Sequence, residues 1–160
     1  MAFARQYTET EVRGMLRIME GNVNQFSPVP ANKRKPAHAV KEHGGADFLS
    51  MKTRVLTAGN PKKTSAYKDF DTMVRATTEI LNSAAGQTEL AKIDNGTQKR
   101  ATIRANLTNG NYHSCKVETT NHTDLSANEN FKRATAGMVI CEKFVGSLLQ
   151  IQTSFPTTLV

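Results

Sequence analysis

The apolar residues of this chain recur every three to four positions up to about residue 95, and every second position after about residue 99. The first period lays side chains along one stripe of a helix, and the second lays them on one face of a strand. Helices first and strands last, with no alternation of the two, predict an α+β fold: N-terminal helices packed on an antiparallel β-sheet. A doubly wound parallel sheet is excluded. The chain has 160 residues and no internal repeat, so one domain is expected.

Local signals divide the helical part. Thr8 and Glu11 make a capping box ahead of Val12, Met15, Leu16 and Met19, and Gly21 ends that helix. A loop with three prolines and the basic run 33–35 follows, over about 22–36. A second helix is predicted at about 46–57, carrying Phe48, Met51, Val55 and Leu56. The third covers about 70–85, capped by Asp69 or Asp71, with Phe70, Met73, Val74, Thr77, Ile80, Leu81 and Ala84 inward. A short helical piece from about Thr88 should stop at Asn95-Gly96.

Beyond it, Ile103, Ala105 and Leu107 alternate with polar residues, and Asn109-Gly110 is a hairpin signal leading into a strand at about 111–119. Residues 120–136 read as a long polar loop. Residues 138–145 read as a half-buried strand, Gly146-Ser147 as a turn and residues 148–155 as the last strand.

The chain carries 21 Lys+Arg against 14 Asp+Glu, a formal net charge of +7. Residues 31–75 hold ten of the basic and four of the acidic groups, so +6 of the excess falls on that stretch. A concentrated positive field attracts polyanions, which makes RNA, DNA or an acidic protein a candidate partner; a solvated basic surface is the ordinary alternative. No apolar run approaches the ~18–20 residues that span a bilayer, and the N-terminus lacks the apolar stretch of a cleaved signal. The cysteines, Cys115 and Cys141, form neither a disulfide framework nor a CxxC-type metal pair. Free thiols, no structural metal and no cofactor are expected. The sequons at Asn95, Asn106 and Asn121 are expected to be accidental in so Asn- and Thr-rich a chain.

Three pieces could carry chemistry. His38 and His43 lie five residues apart beside the basic run and flank Lys41. Imidazole moves protons near neutral pH and could act on an RNA hydroxyl, although a capping or surface histidine accounts for the same spacing. Arg54, eleven residues after His43, could clamp a phosphate or be an ordinary helix arginine. On the last strand, Thr153 and Phe155 are expected on one face together with Leu149 and Ile151. That face offers a hydroxyl for phosphate and a ring for a base, or a plain core face ended by Pro156. His113 and His122 have less to recommend them.

Taken together, these pieces resemble the ribonuclease A-like C-terminal toxin domain (CdiA-CT) of bacterial contact-dependent growth inhibition proteins. That family has a paired-histidine segment with an arginine eleven residues on, matched by His38, His43 and Arg54. A Thr/Ser-aromatic-x-Asp stretch opening a long helix is matched at Thr64, Ser65, Tyr67 and Asp69. A final Thr-x-Tyr-Pro strand is matched by Thr153-Ser154-Phe155-Pro156. The resemblance spans about residues 36–157.

It implies a kidney-shaped ribonuclease fold without disulfides. The implied reaction is metal-independent RNA cleavage, by attack of a 2′-hydroxyl on the adjacent phosphate to leave a 2′,3′-cyclic phosphate. It implies His43 as the principal proton-transfer group, Arg54 as stabiliser of the phosphorane-like transition state and Thr153 as donor to a phosphate oxygen. Phe155 stands where the family commonly has tyrosine, so a tyrosine's proton or hydroxyl role would be dispensable or would fall to His38, Lys41 or another group. Residues 1–35 would be an N-terminal helix and basic linker, either part of the catalytic fold or a remnant of a delivery region, and 36–160 the toxin domain. The resemblance implies part of a larger secreted or cell-surface effector acting in the cytoplasm of the target bacterium. Its substrate would be RNA, with tRNA a candidate, and a cognate acidic immunity protein would neutralise it. An EndoU-like ribonuclease toxin and a non-catalytic basic module for RNA or protein are the competing readings.

Overall fold

A computed structural model describes residues 2–45, 53, 63–107, 112–118, 132–133, 135–144 and 148–157. Among them the fold is α+β with antiparallel sheets. The helices are α1 (Glu9–Met19), α2 (Ala39–His43), α3 (Phe70–Asn82) and α4 (Ala84–Asp94), with a 3-10 turn at Ala31–Lys33. The strands are β1 (Lys63–Tyr67), β2 (Arg100–Asn106), β3 (His113–Glu118), β4 (Lys132–Arg133), β5 (Ala136–Lys143) and β6 (Leu149–Thr157). They form two three-stranded sheets, ordered β1-β3-β4 and β2-β5-β6. The helix predicted at 46–57 lies outside the described residues apart from Thr53, as do the turns at 109–110 and 146–147 and most of the polar loop at 120–136.

The capped helices form where their local signals place them. Thr8 Oγ1 accepts the Glu11 N–H while Glu11 Oε2 accepts the Thr8 N–H, which satisfies two otherwise unpaired donors of α1. Val12, Leu16 and Met19 form its buried stripe. Asp69, not Asp71, caps α3 by accepting the Thr72 N–H, and hydrogen bonds from the Thr72 side chain first and its backbone second hold the Asp69 carboxyl below the usual range.

The next boundary differs from the sequence reading. α3 ends at Asn82 because Ser83 caps a new helix, its Oγ accepting the Gly86 N–H, so Ala84 belongs to α4. The junction is tight. A Cβ on Gly86 would sit 2.3 Å from the Ile80 carbonyl oxygen and 2.4 Å from that of Leu81. Backbone oxygens cannot swing aside as a side-chain tip can, so Gly86→Ala should destabilise the fold by about 1–3 kcal/mol. A thermal melt checks this, and an unchanged or higher Tm would refute the steric account. α4 stops at Asn95 with Gly96 in the left-handed region at φ +78°, as the Asn-Gly signal requires.

Among the described residues, the strands that flank Asn109-Gly110 do not pair with each other. β2 pairs with β5, Arg100 opposite Glu142 through Asn106 opposite Ala136, whereas β3 pairs with β1 and β4. A turn signal acts locally, but strand pairing is decided by what each face can bury. β2 turns Ala101 and Ile103 into the same core as Val139 and Cys141 of β5. β1 was not foreseen, and β5 is buried along nearly its whole length, not half-buried. It is the central strand, with the core on one face and the segment around Asn24 and Ser27 against Glu142 on the other.

One apolar cluster joins the elements. Tyr67, Ile80, Leu81, Leu90, Ile103 and Ile151 share it with Phe3, Tyr7, Val12 and Leu16 of the N-terminal segment. That segment is also tied by hydrogen bonds. The Asp94 carboxylate accepts the Phe3 and Ala4 N–H groups, and Asn82 exchanges two bonds with the Tyr7 backbone. Cys141 is a free, buried thiol, and burial pushes its pKa up to about 12.

Candidate active site

The site grows from the way the basic loop is held against β5 and β6. Asn24 Nδ2 and Ser27 Oγ donate to the two oxygens of Glu142, which is 2% exposed and also pairs with Arg100. Arg34 donates to the Val29 and Ser27 carbonyls, so its guanidinium braces the loop. Gln152 Nε2 donates to the Lys35 and Pro36 carbonyls, and the His38 N–H donates to the Gln152 carbonyl. These contacts hold the 33–35 run beside the last strand and deliver the chain into α2.

α2 has five residues, too short to persist alone. Its first turn is stabilised from across the loop, because the Glu20 carboxylate accepts the Val40 and Lys41 N–H groups at 3.1 and 2.9 Å. At its other end Gly44 bridges to Tyr67 of β1, and the Gly45 N–H donates to the Tyr67 carbonyl. Gly45 takes φ +87° there, with Asp69 Cα only 3.2 Å from where a Cβ would lie, so glycine is required.

His43 is thereby turned inward. The residue is 6% exposed, and its Nδ1 lies 2.5 Å from the carbonyl oxygen of Ser65 on β1. A carbonyl can only accept, so Nδ1 carries the proton and Nε2 is the basic nitrogen of the neutral ring. Nε2 faces Glu42 Oε2 at 3.8 Å. The ring of Phe155 lies against His43, with centroids 5.2 Å apart, and the ring of His38 is 6.0 Å away. His38 also faces Glu42, Nε2 to Oε2 at 3.4 Å, and its Nδ1 lies 3.1 Å from the Pro36 carbonyl oxygen.

A β-bulge brings Thr153 into the same place. Ile140 pairs with Thr153 but Cys141 pairs with Ile151, so Gln152 is an extra residue on β6. An extra residue reverses the alternation. Leu149 and Ile151 lie in the core with Cys141, whereas Thr153 lines a cleft with Ile140, and Ser154 takes the inward position, bonded to Thr77 Oγ1. The shared face expected for Leu149, Ile151, Thr153 and Phe155 is therefore broken at Gln152. The cleft has a volume of about 220 Å³, and its walls include His38, Thr153, Lys33, Arg34, Lys35 and Arg100. Thr153 is 4% exposed, and its Oγ1 has no hydrogen-bond partner among the described residues. A buried hydroxyl in that state is a donor awaiting an acceptor.

His38, His43, Thr153 and Phe155 thus converge. Lys41 projects from α2 as an exposed side chain, and Arg54 and His122 lie outside the described residues. Sequence reasoning missed Ser65, Glu20 and Glu42. Glu42 left a local trace, four residues after His38 and next to His43, and Ser65 lies in the Thr64–Asp69 stretch without a role assigned to it.

Comparison with known proteins adds one match. No family model and no curated protein matches the chain. The arrangement of two three-stranded antiparallel sheets with packed helices is a fold already represented among solved structures. It is similar to a chain in the crystal structure of a CdiA-CT/CdiI complex from Y. kristensenii, with a TM-score of 0.54 and 20% sequence identity. The match covers 72% of this chain and 94% of that one, and the likeness is one of fold.

Proposed function

We propose that the chain is a contact-dependent growth inhibition toxin domain with the ribonuclease A-like fold, and that it cleaves RNA without a metal ion. One observation carries this reading. An inward-turned His43, oriented by the Ser65 carbonyl, stands 6.0 Å from a second imidazole at a cationic cleft containing the Thr153 hydroxyl, which has no hydrogen-bond partner among the described residues. The fold shared with a chain of a CdiA-CT/CdiI complex supports it.

In the proposed reaction, His43 Nε2 takes the proton of the substrate 2′-hydroxyl as O2′ bonds to phosphorus. The P–O5′ bond breaks, and the leaving 5′-oxygen takes a proton from the imidazolium of His38. The products are a 2′,3′-cyclic phosphate and a 5′-hydroxyl. Thr153 Oγ1 donates to a non-bridging oxygen as its charge grows. Arg54 keeps its proposed place as the cation on that phosphorane. Phe155 packs on the His43 ring, so it holds the base in position and provides no proton. The domain acts in the target cytoplasm as part of a larger effector, and an acidic immunity protein covers the 31–75 stretch.

Incubating total RNA with the purified chain in EDTA tests the proposal. Cleavage to 2′,3′-cyclic phosphate ends is expected, and Thr153→Val, which keeps the shape and removes the donor, should slow it about 10²-fold. Intact RNA with the wild-type protein would favour the non-catalytic binding module. Cleavage that EDTA abolishes would refute the metal-independent chemistry.

A further inference from the structure

We infer that His38, Glu42 and His43 form a binding site for an imidazole-preferring divalent cation, zinc above all, and that its occupancy shuts off RNA cleavage. The second half rests on the proposed function; the first does not.

The site follows from where the imidazole lone pairs lie. Nδ1 of His43 meets the Ser65 carbonyl and Nδ1 of His38 meets the Pro36 carbonyl, so both neutral rings place their lone pair on Nε2. Both Nε2 atoms face one carboxylate oxygen, Glu42 Oε2, at 3.4 Å from His38 and 3.8 Å from His43. One donor atom from each of the three residues lies within 4.8 Å of the others. Tetrahedral zinc, with bonds of about 2.0–2.2 Å, needs its ligand atoms about 3.3–3.5 Å apart. The side chains of His38 and Glu42 are 28% and 29% exposed and can close inward, while His43, at 8%, stays packed.

A ligating histidine characteristically donates its other N–H to a backbone carbonyl, which fixes the tautomer and the ring orientation. Both rings have that outer partner here. Two imidazoles and one carboxylate favour zinc, copper or nickel over magnesium or calcium, and three protein ligands leave a fourth position open. The ion would take the same Nε2 lone pairs that the proposed reaction needs for its protons. Metal and RNA chemistry are then mutually exclusive at one site. A search for cysteine pairs cannot find a site whose donors are nitrogen and oxygen.

Titrating the chelator-treated full chain with zinc chloride in a calorimeter tests the site, with magnesium chloride as control and circular dichroism to establish folding. One zinc per chain is expected and no magnesium binding. Outer partners alone are worth about 10–100-fold in metal affinity, so His38→Ala and Glu42→Gln should each weaken zinc binding at least about tenfold. Absence of zinc binding, or equal binding by folded variants, overturns the site. In the RNA assay, one equivalent of zinc should stop cleavage and excess EDTA restore it. Unimpeded cleavage by the zinc-loaded protein overturns the inhibitory role. RNA left intact under every metal condition would sink the proposed function while the calorimetry still decides the site.

Discussion

Replacing His43 by alanine is expected to lower RNA cleavage by about 10²–10⁴-fold, the range that a positioned proton-transfer group contributes. The expectation rests on where His43 is held. Its Nδ1 is engaged by Ser65, its face is covered by Phe155, and its Nε2 looks toward His38 and Glu42. A capping or surface histidine would share none of these contacts. Because the side chain is buried, the alanine variant leaves a cavity and could lose activity by loosening β1 against α2. His43→Gln separates the two effects, since its amide N–H can still donate to the Ser65 carbonyl while no atom can take a proton. Both variants should fold by circular dichroism and both should leave RNA intact. Wild-type rates in a folded His43→Gln protein would remove His43 from the chemistry.

What could be read from the sequence was local. The Thr8–Glu11 box, the Asp69 cap and the Asn95-Gly96 stop each depend on residues within a turn of one another, and each forms as its spacing dictates. The alternation of Ile103, Ala105 and Leu107 likewise survives, with Ile103 buried and Ala105 half-buried on β2 and Leu107 buried just beyond its end. Non-local choices were not legible. The Asn109-Gly110 signal could not say that its flanking strands join different sheets. Nor could a period-two pattern show that Gln152 is an inserted residue, although that bulge alone aims Thr153 away from the core and into the cleft.

The same division holds at the site. His38, His43, Thr153 and Phe155 were visible as residue types at a spacing. The roles of Ser65 and Glu20 were not legible, because each acts on a segment distant in the chain: the Ser65 backbone carbonyl orients His43, and the Glu20 carboxylate organises α2. The charge excess gained a location in part, since Lys33, Arg34 and Lys35 lie on the walls of the cleft that His38 and Thr153 share.

Removing residues 1–19 is expected to unfold the chain. Net charge left residues 1–35 divisible from the rest, since residues 1–30 carry three basic and three acidic groups. Packing provides a physical ground for the expectation. Phe3, Tyr7, Val12, Leu16 and Met19 are all 6% exposed or less. At about 1.5–3 kcal/mol for each buried side chain of this size, their loss amounts to an upper estimate of order 10 kcal/mol. A domain this size has roughly 5–15 kcal/mol in total. The deletion would also uncover the faces of α3 and β6 that α1 packs on, and strip the Asp94 and Asn82 side chains of their backbone partners. A chain of residues 20–160 should therefore show no cooperative thermal transition. Leu16→Ala, which should cost about 2–5 kcal/mol, tests the same contact more gently and should lower Tm by several degrees. If residues 20–160 melt cooperatively within a few degrees of the full chain, α1 is an appendage. The unit proposed to cleave RNA would then begin with the loop that carries Glu20 to α2.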